Sequence, residues 1–286
     1  MENMQHYSSI LWLIKRSIDL DLKLIKVSNW PNNKIIQFIF CKYFLLLKHL
    51  FIKFKFGKSS IRLFGEKIYY DSPYGLADYQ SMLCRHQKWL KIGNVNNPKV
   101  IIDIGANVGF FSKMARSLYP SSKIYAIEPV PAVYSLMSKN FNGDQDTMLF
   151  NFAVFNKKGK QKMFFDESDS LTSKISSNGK FYVQTDTLDS FINKQKINYI
   201  DILKIDVESF ENYVLLGAKQ ALSKTKYLLL EITIKNNKNY TISSLMSLLY
   251  SKKYNYQLIA FRNYSDMGEG EMPVMDCLFK NVKNDL

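Results

Sequence analysis

Four residues in one short stretch have the types and spacing to hold a charged ligand: Asp103, Gly105, Gly109 and Glu128. Val100-Ile101-Ile102-Asp103-Ile104 reads as an apolar strand running into a Gly-x-x-x-Gly turn that opens a helix. Glycines there let the backbone bend sharply and approach a ligand with no Cβ in the way. The spacing is not the Gly-x-Gly-x-x-Gly that seats a pyrophosphate on a helix N-terminus. A carboxylate two residues before the first glycine repels a diphosphate but suits a cation such as an ammonium or a sulfonium. The helix N-terminus and the turn amides can then take the same ligand's carboxylate. Glu128 stands at the tip of the next strand, where an acid accepts the two ribose hydroxyls of an adenosine. Together the four residues point to an S-adenosylmethionine site. Taken singly, each also fits a helix cap or a generic α/β turn.

A second group is acidic: Asp206 and Glu208 follow one apolar strand, and Glu231 ends the next. Ligands of open α/β sheets bind outside the carboxyl ends of the strands, so these acids are expected to converge. The three histidines, His6, His49 and His86, are all N-terminal. A carboxylate is therefore the simplest general base for a hydroxyl acceptor, and such a base contributes about 10²- to 10⁴-fold. Asp206 or Glu208 is the candidate. The alternative is that Glu208 or Glu211 pairs with Lys204 or Lys219, or caps a helix. A divalent cation on Asp206, Glu208 and Glu231 is chemically allowed, but no spacing demands it, so no metal is expected.

Strands and helices that would position these groups alternate from residue 99 onward. Strands are predicted at 100–104, 123–127, 148–152, 200–205, 227–232, 256–261 and 275–279, with a hairpin strand at 161–165. Helices are predicted at 108–118, 133–140, 188–193, 211–222 and 242–251. Continuous apolar strands separated by helices indicate a parallel sheet covered on both faces, an α/β fold. The breaker cluster Gly93 to Pro98 divides this part from what precedes it. Three parts result: a basic amphipathic helical extension (1–58), a hairpin and helix (59–98), and the α/β domain (99–286).

The chain has 286 residues and a net charge of +14. Residues 1–60 hold ten Lys/Arg against three Asp/Glu, half of that excess. Such charge suits an anionic lipid surface or nucleic acid, and it equally follows from a Lys/Asn/Ile-rich composition with no function attached. Residues 35–56 are long enough to span a bilayer, but Lys42, Lys48, His49, Lys53 and Lys55 interrupt them, which argues against spanning. On a helical wheel Lys42, His49 and Lys53 share one edge. The segment thus fits a helix lying in a membrane interface, or one packed on the main domain with lysines at its rim. No cleavable leader is evident. Three unspaced cysteines, Cys41, Cys84 and Cys277, form no disulfide framework, so a reducing, cytoplasmic setting is expected, with contact at the inner face of a membrane.

The ordered runs IDIGANVGFFS, AIEPVP, NFAVFNKKGK, TDTLDSFI, IDILKIDVESFENYVLLGAKQAL and LLLEI resemble the FkbM-family S-adenosylmethionine-dependent methyltransferases over about residues 99–235. The resemblance implies a Rossmann-like, seven-stranded class I methyltransferase sheet with its last strand antiparallel. It also implies that Asp103, Gly105, Ala106, Asn107 and Gly109 wrap the methionyl part of the cofactor and that Glu128 holds the ribose. Asn151, Phe152 and Ala153 would lie against the adenine, and the acceptor would be a sugar, glycolipid, polysaccharide or other small molecule; Asp206, Glu208 and Glu231 remain the catalytic candidates from their placement at the strand ends. One departure stands out: the family's Asp-Val-Glu-Gly-x-Glu reads Asp206-Val207-Glu208-Ser209-Phe210-Glu211 here. Ser209 either replaces a glycine needed for positive φ or acts as a helix cap, and the cap is the favoured reading. A nucleic-acid methyltransferase is disfavoured, because the Asn/Asp-Pro-Pro-Tyr type of turn is absent and an acidic rim repels phosphates. A catalytically silent membrane-bound protein would not need the Asp103/Gly105/Gly109/Glu128 set.

Overall fold

A computed structural model describes residues 17–26, 30–51, 59–63, 66–71, 75–166, 169–175, 179, 181–233, 241–263 and 274–285. The apolar run at 10–14, the hairpin turn at 64–65 and the lysines at 53 and 55 lie outside the described residues.

Two helices come first, α1 (17–26) and α2 (Asn32–Phe51), followed by the hairpin β1 (Ser60–Leu63) and β2 (Glu66–Tyr69) and the helix α3 (Gly75–Ile92). The α/β part then runs β3 (Val100–Ile104), α4 (Phe110–Leu118), β4 (Lys123–Ile127), α5 (Pro131–Asn140) and β5 (Thr147–Phe150). Four short strands follow: β6 (Ala153–Val154), β7 (Gly159–Asp166), β8 (Asp169–Ile175) and β9 (Phe181–Asp186). The chain resumes the main layer with α6 (Leu188–Lys194), β10 (Ile200–Ile205), α7 (Glu211–Leu216), α8 (Lys219–Lys224) and β11 (Thr225–Thr233). It closes with α9 (Ile242–Leu249), β12 (Tyr256–Asn263) and β13 (Val274–Asn281).

The main sheet has the order β12-β13-β11-β10-β3-β4-β5. Strands β5, β4, β3, β10 and β11 are parallel, and the last strand, β13, runs antiparallel to both β11 and β12. This is the class I Rossmann-like arrangement that the sequence resemblance implied. Alternate side chains serve two cores. Ile101, Ile202, Leu229 and Leu278 pack with α3 and α4, whereas Ile102, Leu203, Leu228 and Phe279 pack with α6 to α9. A sheet buried on both faces explains why these strands read as continuous apolar runs.

The hairpin strand predicted at 161–165 is β7, antiparallel to the next strand β8, and both belong to a four-stranded sheet of order β6-β9-β7-β8 that the sequence did not reveal. Two local expectations are corrected. The helix predicted over 211–222 breaks at Gly217, where a Cβ would stand 2.2 Å from the Phe155 carbonyl oxygen. Asp189 Oδ1 accepts from the amides of Gln220 and Ala221 at 2.9 Å, capping the new helix start and offsetting the lost turn. Lys42 is not on an exposed basic edge. It is buried, ion-paired with Asp21, and donates to Gln80 Oε1 at 3.0 Å, because α1 and α3 supply polar partners that a wheel of one helix cannot show.

Candidate active site

The sheet positions the site as two polar rows on the face covered by α3 and α4. In the lower row Asp103 on β3 pairs in register with Lys204 on β10. Two residues further along, just past β10, comes Asp206, and Glu231 on β11 stands directly opposite Asp276 on β13. Strand alternation makes this inevitable: once Ile202 and Leu229 face α3 and α4, the side chains two residues on must follow.

Lys204 joins the rows. Its Nζ lies 3.4 Å from Asp103 Oδ1 and 3.1 Å from Asp206 Oδ2, over the Phe111 ring. Burial works against its charge, but the Asp206 and Asp103 carboxylates outweigh that and raise its pKa. Asp103 is fully buried, and Ser112 Oγ donates to its Oδ2 at 2.7 Å. Burial raises the pKa of Asp103 against the pull of Lys204 and Ser112. Among the described residues its Oδ1 is met by Lys204 at 3.4 Å.

In the glycine turn, Gly105 has φ +73° and Gly109 φ +88°. A Cβ on Gly105 would fall 1.8 Å from the Asp206 carbonyl oxygen, and one on Gly109 would fall 2.4 Å from the Phe141 ring. Both glycines thus also serve chain packing: the first lets β3 exit beside β10, the second lets α4 lie close to α5. The turn amides are used internally. Those of Gly105 and Ala106 donate to the Ile127 carbonyl at 3.1 and 3.0 Å, and that of Gly109 donates to Ala106 at 2.8 Å. The Asn107 amide donates to Glu128 Oε2 at 3.0 Å, and that of Val108 to Asn107 Oδ1 at 2.6 Å. The carboxylate expected to meet turn amides is therefore left to the first turn of α4, whose N–H groups have no intrahelical acceptor.

Glu128 is buried, and its Oε1 accepts from the Val130 amide at 2.8 Å. Burial pushes its carboxyl up to about 7, against the lowering effect of the Val130 and Asn107 amides. Each oxygen takes one N–H and keeps a further lone pair, which fits the two hydroxyls of a ribose. Asn151 donates to the carbonyls of Glu128 and Pro129 at 2.8 and 3.0 Å, closing the tip of β4. Phe152 packs on Phe191 at 5.7 Å between ring centroids, and Ala153 is buried at the start of β6. Asn107, Glu128 and Asn151 are thereby connected through the ends of β3, β4 and β5.

Asp206, Glu208 and Glu231 do converge: one carboxylate oxygen from each lies within 4.8 Å of the others, close enough to share one divalent cation. Glu231 is held well above the ordinary carboxylate range by burial first, then by the charge of Asp206 and a hydrogen bond with it, with Asp276 and Glu208 adding. Burial and the neighbouring acids thus favour the protonated form of Glu231, while Asp206, a quarter exposed, is ion-paired with Lys204. Ser209 is not a cap. Its φ is +77°, next to Glu208 at +51°, and the cap position of α7 is Phe210. The glycine of the related motif is replaced in a left-handed conformation.

Sequence reasoning missed three residues. His86 and Trp89 of α3, with Asp276 of β13, line a small cavity of about 10 Å³ with Lys204, Asp206 and Glu231. A histidine thus does reach the acidic site, on a helix outside the α/β part. The Met82 carbonyl lies 3.1 Å from His86 Nδ1, which fixes the ring. The signal available was α3 itself, whose Gln80, His86 and Gln87 are polar yet buried.

Comparison with known proteins agrees with this architecture. The family model described as Methyltransferase FkbM domain matches residues 103–258, spanning both polar rows except Asp276. The 2-O-methyltransferase NoeI of Sinorhizobium fredii is 24% identical over 176 residues, 55% of this chain and 72% of the relative. The hexuronic acid methyltransferase AglP of Haloferax volcanii is 23% identical over 137 residues, 46% of this chain and 55% of the relative. Among solved structures, TYW2 of M. jannaschii in complex with AdoMet covers 80% of this chain and 89% of its own at 13% identity and TM-score 0.41. The family match is to methyltransferases, with which S-adenosylmethionine as methyl donor is consistent. The chain belongs to the FkbM methyltransferase family.

Proposed function

We propose that the protein transfers a methyl group from S-adenosylmethionine to a hydroxyl of a sugar or sugar-acid acceptor, with Asp206 as general base. The observation that carries this reading is the convergence of Asp206, Glu208 and Glu231 at the carboxyl ends of β10 and β11. Relatives described as a 2-O-methyltransferase and a hexuronic acid methyltransferase support the oxygen nucleophile and the carbohydrate class.

When bound, the cofactor supplies an electrophilic methyl on a sulfonium, and displacement is in line, so positioning of the acceptor carries much of the rate. The chain's part is as follows. Glu128 takes the ribose hydroxyls, and Asn107, Asn151 and Phe152 border the nucleoside. Asp103 balances Lys204 from below, while Lys204 pairs with Asp206 at 3.1 Å. Asp206 accepts the acceptor's hydroxyl proton as the oxygen attacks. Glu231 stays protonated and donates to Asp206 or to a neighbouring acceptor oxygen, and Glu208 orients a further hydroxyl. With Lys204 already supplying positive charge and Glu231 carrying a proton, the three acids function without a metal.

The test is transfer of labelled methyl from S-adenosylmethionine to free hexoses, hexuronic acids and oligosaccharides, with RNA in parallel. Asp206→Asn is expected to keep cofactor affinity and lose activity by about 10²-fold or more. Full activity of Asp206→Asn removes it as base, and labelling of RNA alone removes the sugar reading. Loss of activity after chelation, restored by Mg²⁺ or Mn²⁺, replaces the metal-free reading with one in which the three acids hold a cation.

A further inference from the structure

Helix α2 has two apolar faces, and one of them has no partner among the described residues. Ile35, Phe38 and Leu45 point into the core with Lys42, which is only 1% exposed. The opposite stripe consists of Ile36, Phe40, Phe44 and Leu47, at 67%, 72%, 53% and 57% exposure. These four recur every three or four residues, so they form one line along the helix. On α1, whose Asp21 holds Lys42 of α2, Ile18, Leu22 and Ile25 form a second half-exposed line. The usual arrangement is inverted: a lysine is buried on an ion pair while two phenylalanines face outward. Single exposed apolar residues are ordinary, but two aligned rows on neighbouring helices are not.

We propose that this face of α1 and α2 docks on an anionic lipid bilayer, lying in its interface. Charge selects that occupant. The α2 segment contains no Asp or Glu, and Lys34 and Lys48 reach the surface near its two ends. Residues 1–60 carry ten Lys/Arg against three Asp/Glu. Such a segment attracts acidic headgroups and repels a second copy of itself. No helix among the described residues is long and apolar enough to cross a membrane, so the contact is with the interface and not the bilayer core.

The full chain is tested by co-sedimentation with phosphatidylcholine vesicles, with and without about one third phosphatidylglycerol. Binding is expected only to the anionic vesicles, weakened by salt. Phe40→Ser with Phe44→Ser should reduce it by roughly tenfold or more while melting temperature stays unchanged. Lys34→Gln with Lys48→Gln should reduce it less and lower its salt dependence. Equal sedimentation of the wild-type and Phe variants overturns the proposal. So does a wild-type dimer in ultracentrifugation that the Phe variant abolishes, since the face then belongs to a second copy. Vesicle binding that appears only after residues 1–16 are deleted also overturns it, since the protein's own N-terminus then covers the stripe. None of these readouts depends on methyl transfer.

Discussion

Glu128 uses one lone pair of each carboxylate oxygen on a backbone amide, yet burial leaves it titrating near neutrality, at about 7. Ribose hydroxyls donate to the ionised form, and protonation removes acceptor capacity, so binding selects the carboxylate. Affinity for S-adenosylhomocysteine is therefore expected to rise with pH up to and through about 7, then level off. Calorimetric titrations across that interval check this, and a flat profile would exclude Glu128 as the ribose ligand. Ser209 gives a second residue-scale prediction. A non-glycine residue in the left-handed region costs about 1 kcal/mol, partly offset by the looser unfolded chain that glycine brings. Ser209→Gly should raise the melting temperature by about 1–2 °C. No change, or a fall, would mean that the contacts Ser209 makes outweigh the strain of its backbone. The sequence exposed this position as a departure from a motif. It could not decide between cap and positive φ, because that choice depends on where the chain must go after Asp206.

At the scale of elements, local spacing was a reliable guide where one βαβ unit contained the whole pattern. Asp103, the two glycines and Glu128 lie on consecutive elements, so β3, α4 and β4 were legible together. The break at Gly217 was not, since glycine inside a helical pattern is often tolerated and the deciding contact comes from Phe155 on another segment. Lys42 failed to be read for the same reason: its partners Asp21 and Gln80 lie on two other helices. Burial lowers the pKa of Lys42 despite the opposing effect of Asp21, so the pair is needed to keep its charge. Lys42→Ala should leave the Asp21 carboxylate without its cation, with Tyr43 and Gln80 still donating to it, and cost roughly 3 kcal/mol, the scale of breaking a buried ion pair. A denaturant titration with unchanged midpoint would refute this reading of how α1 is attached. Lys42→Met, which leaves the same unpaired carboxylate, should not rescue it.

At the scale of the whole molecule the sheet was legible through the family resemblance and the convergence of Asp206, Glu208 and Glu231 through the strand ends, but not the flank of the pocket supplied by elements far apart in sequence. His86 arrives from α3 and Asp276 from β13, and only lateral pairing of β11 with β13 brings Asp276 opposite Glu231. Asp276 is one of the charges that hold Glu231 in its protonated form. Asp276→Asn should let Glu231 ionise at a lower pH, moving the corresponding limb of the rate profile toward acid. A profile superimposable on that of the wild type would detach Asp276 from the chemistry.

The placement of β13 between β11 and β12 carries a consequence for biosynthesis. During translation β12 emerges first and has no neighbour to bond, since β13 is its one partner in the sheet. The nascent chain must therefore wait for β13 before β12 can join the sheet and before Asp276 can complete the pocket. A premature stop ahead of β13 thus leaves the glycine turn and Glu128 intact in sequence but strands one flank of the sheet, with an unpaired edge open to aggregation.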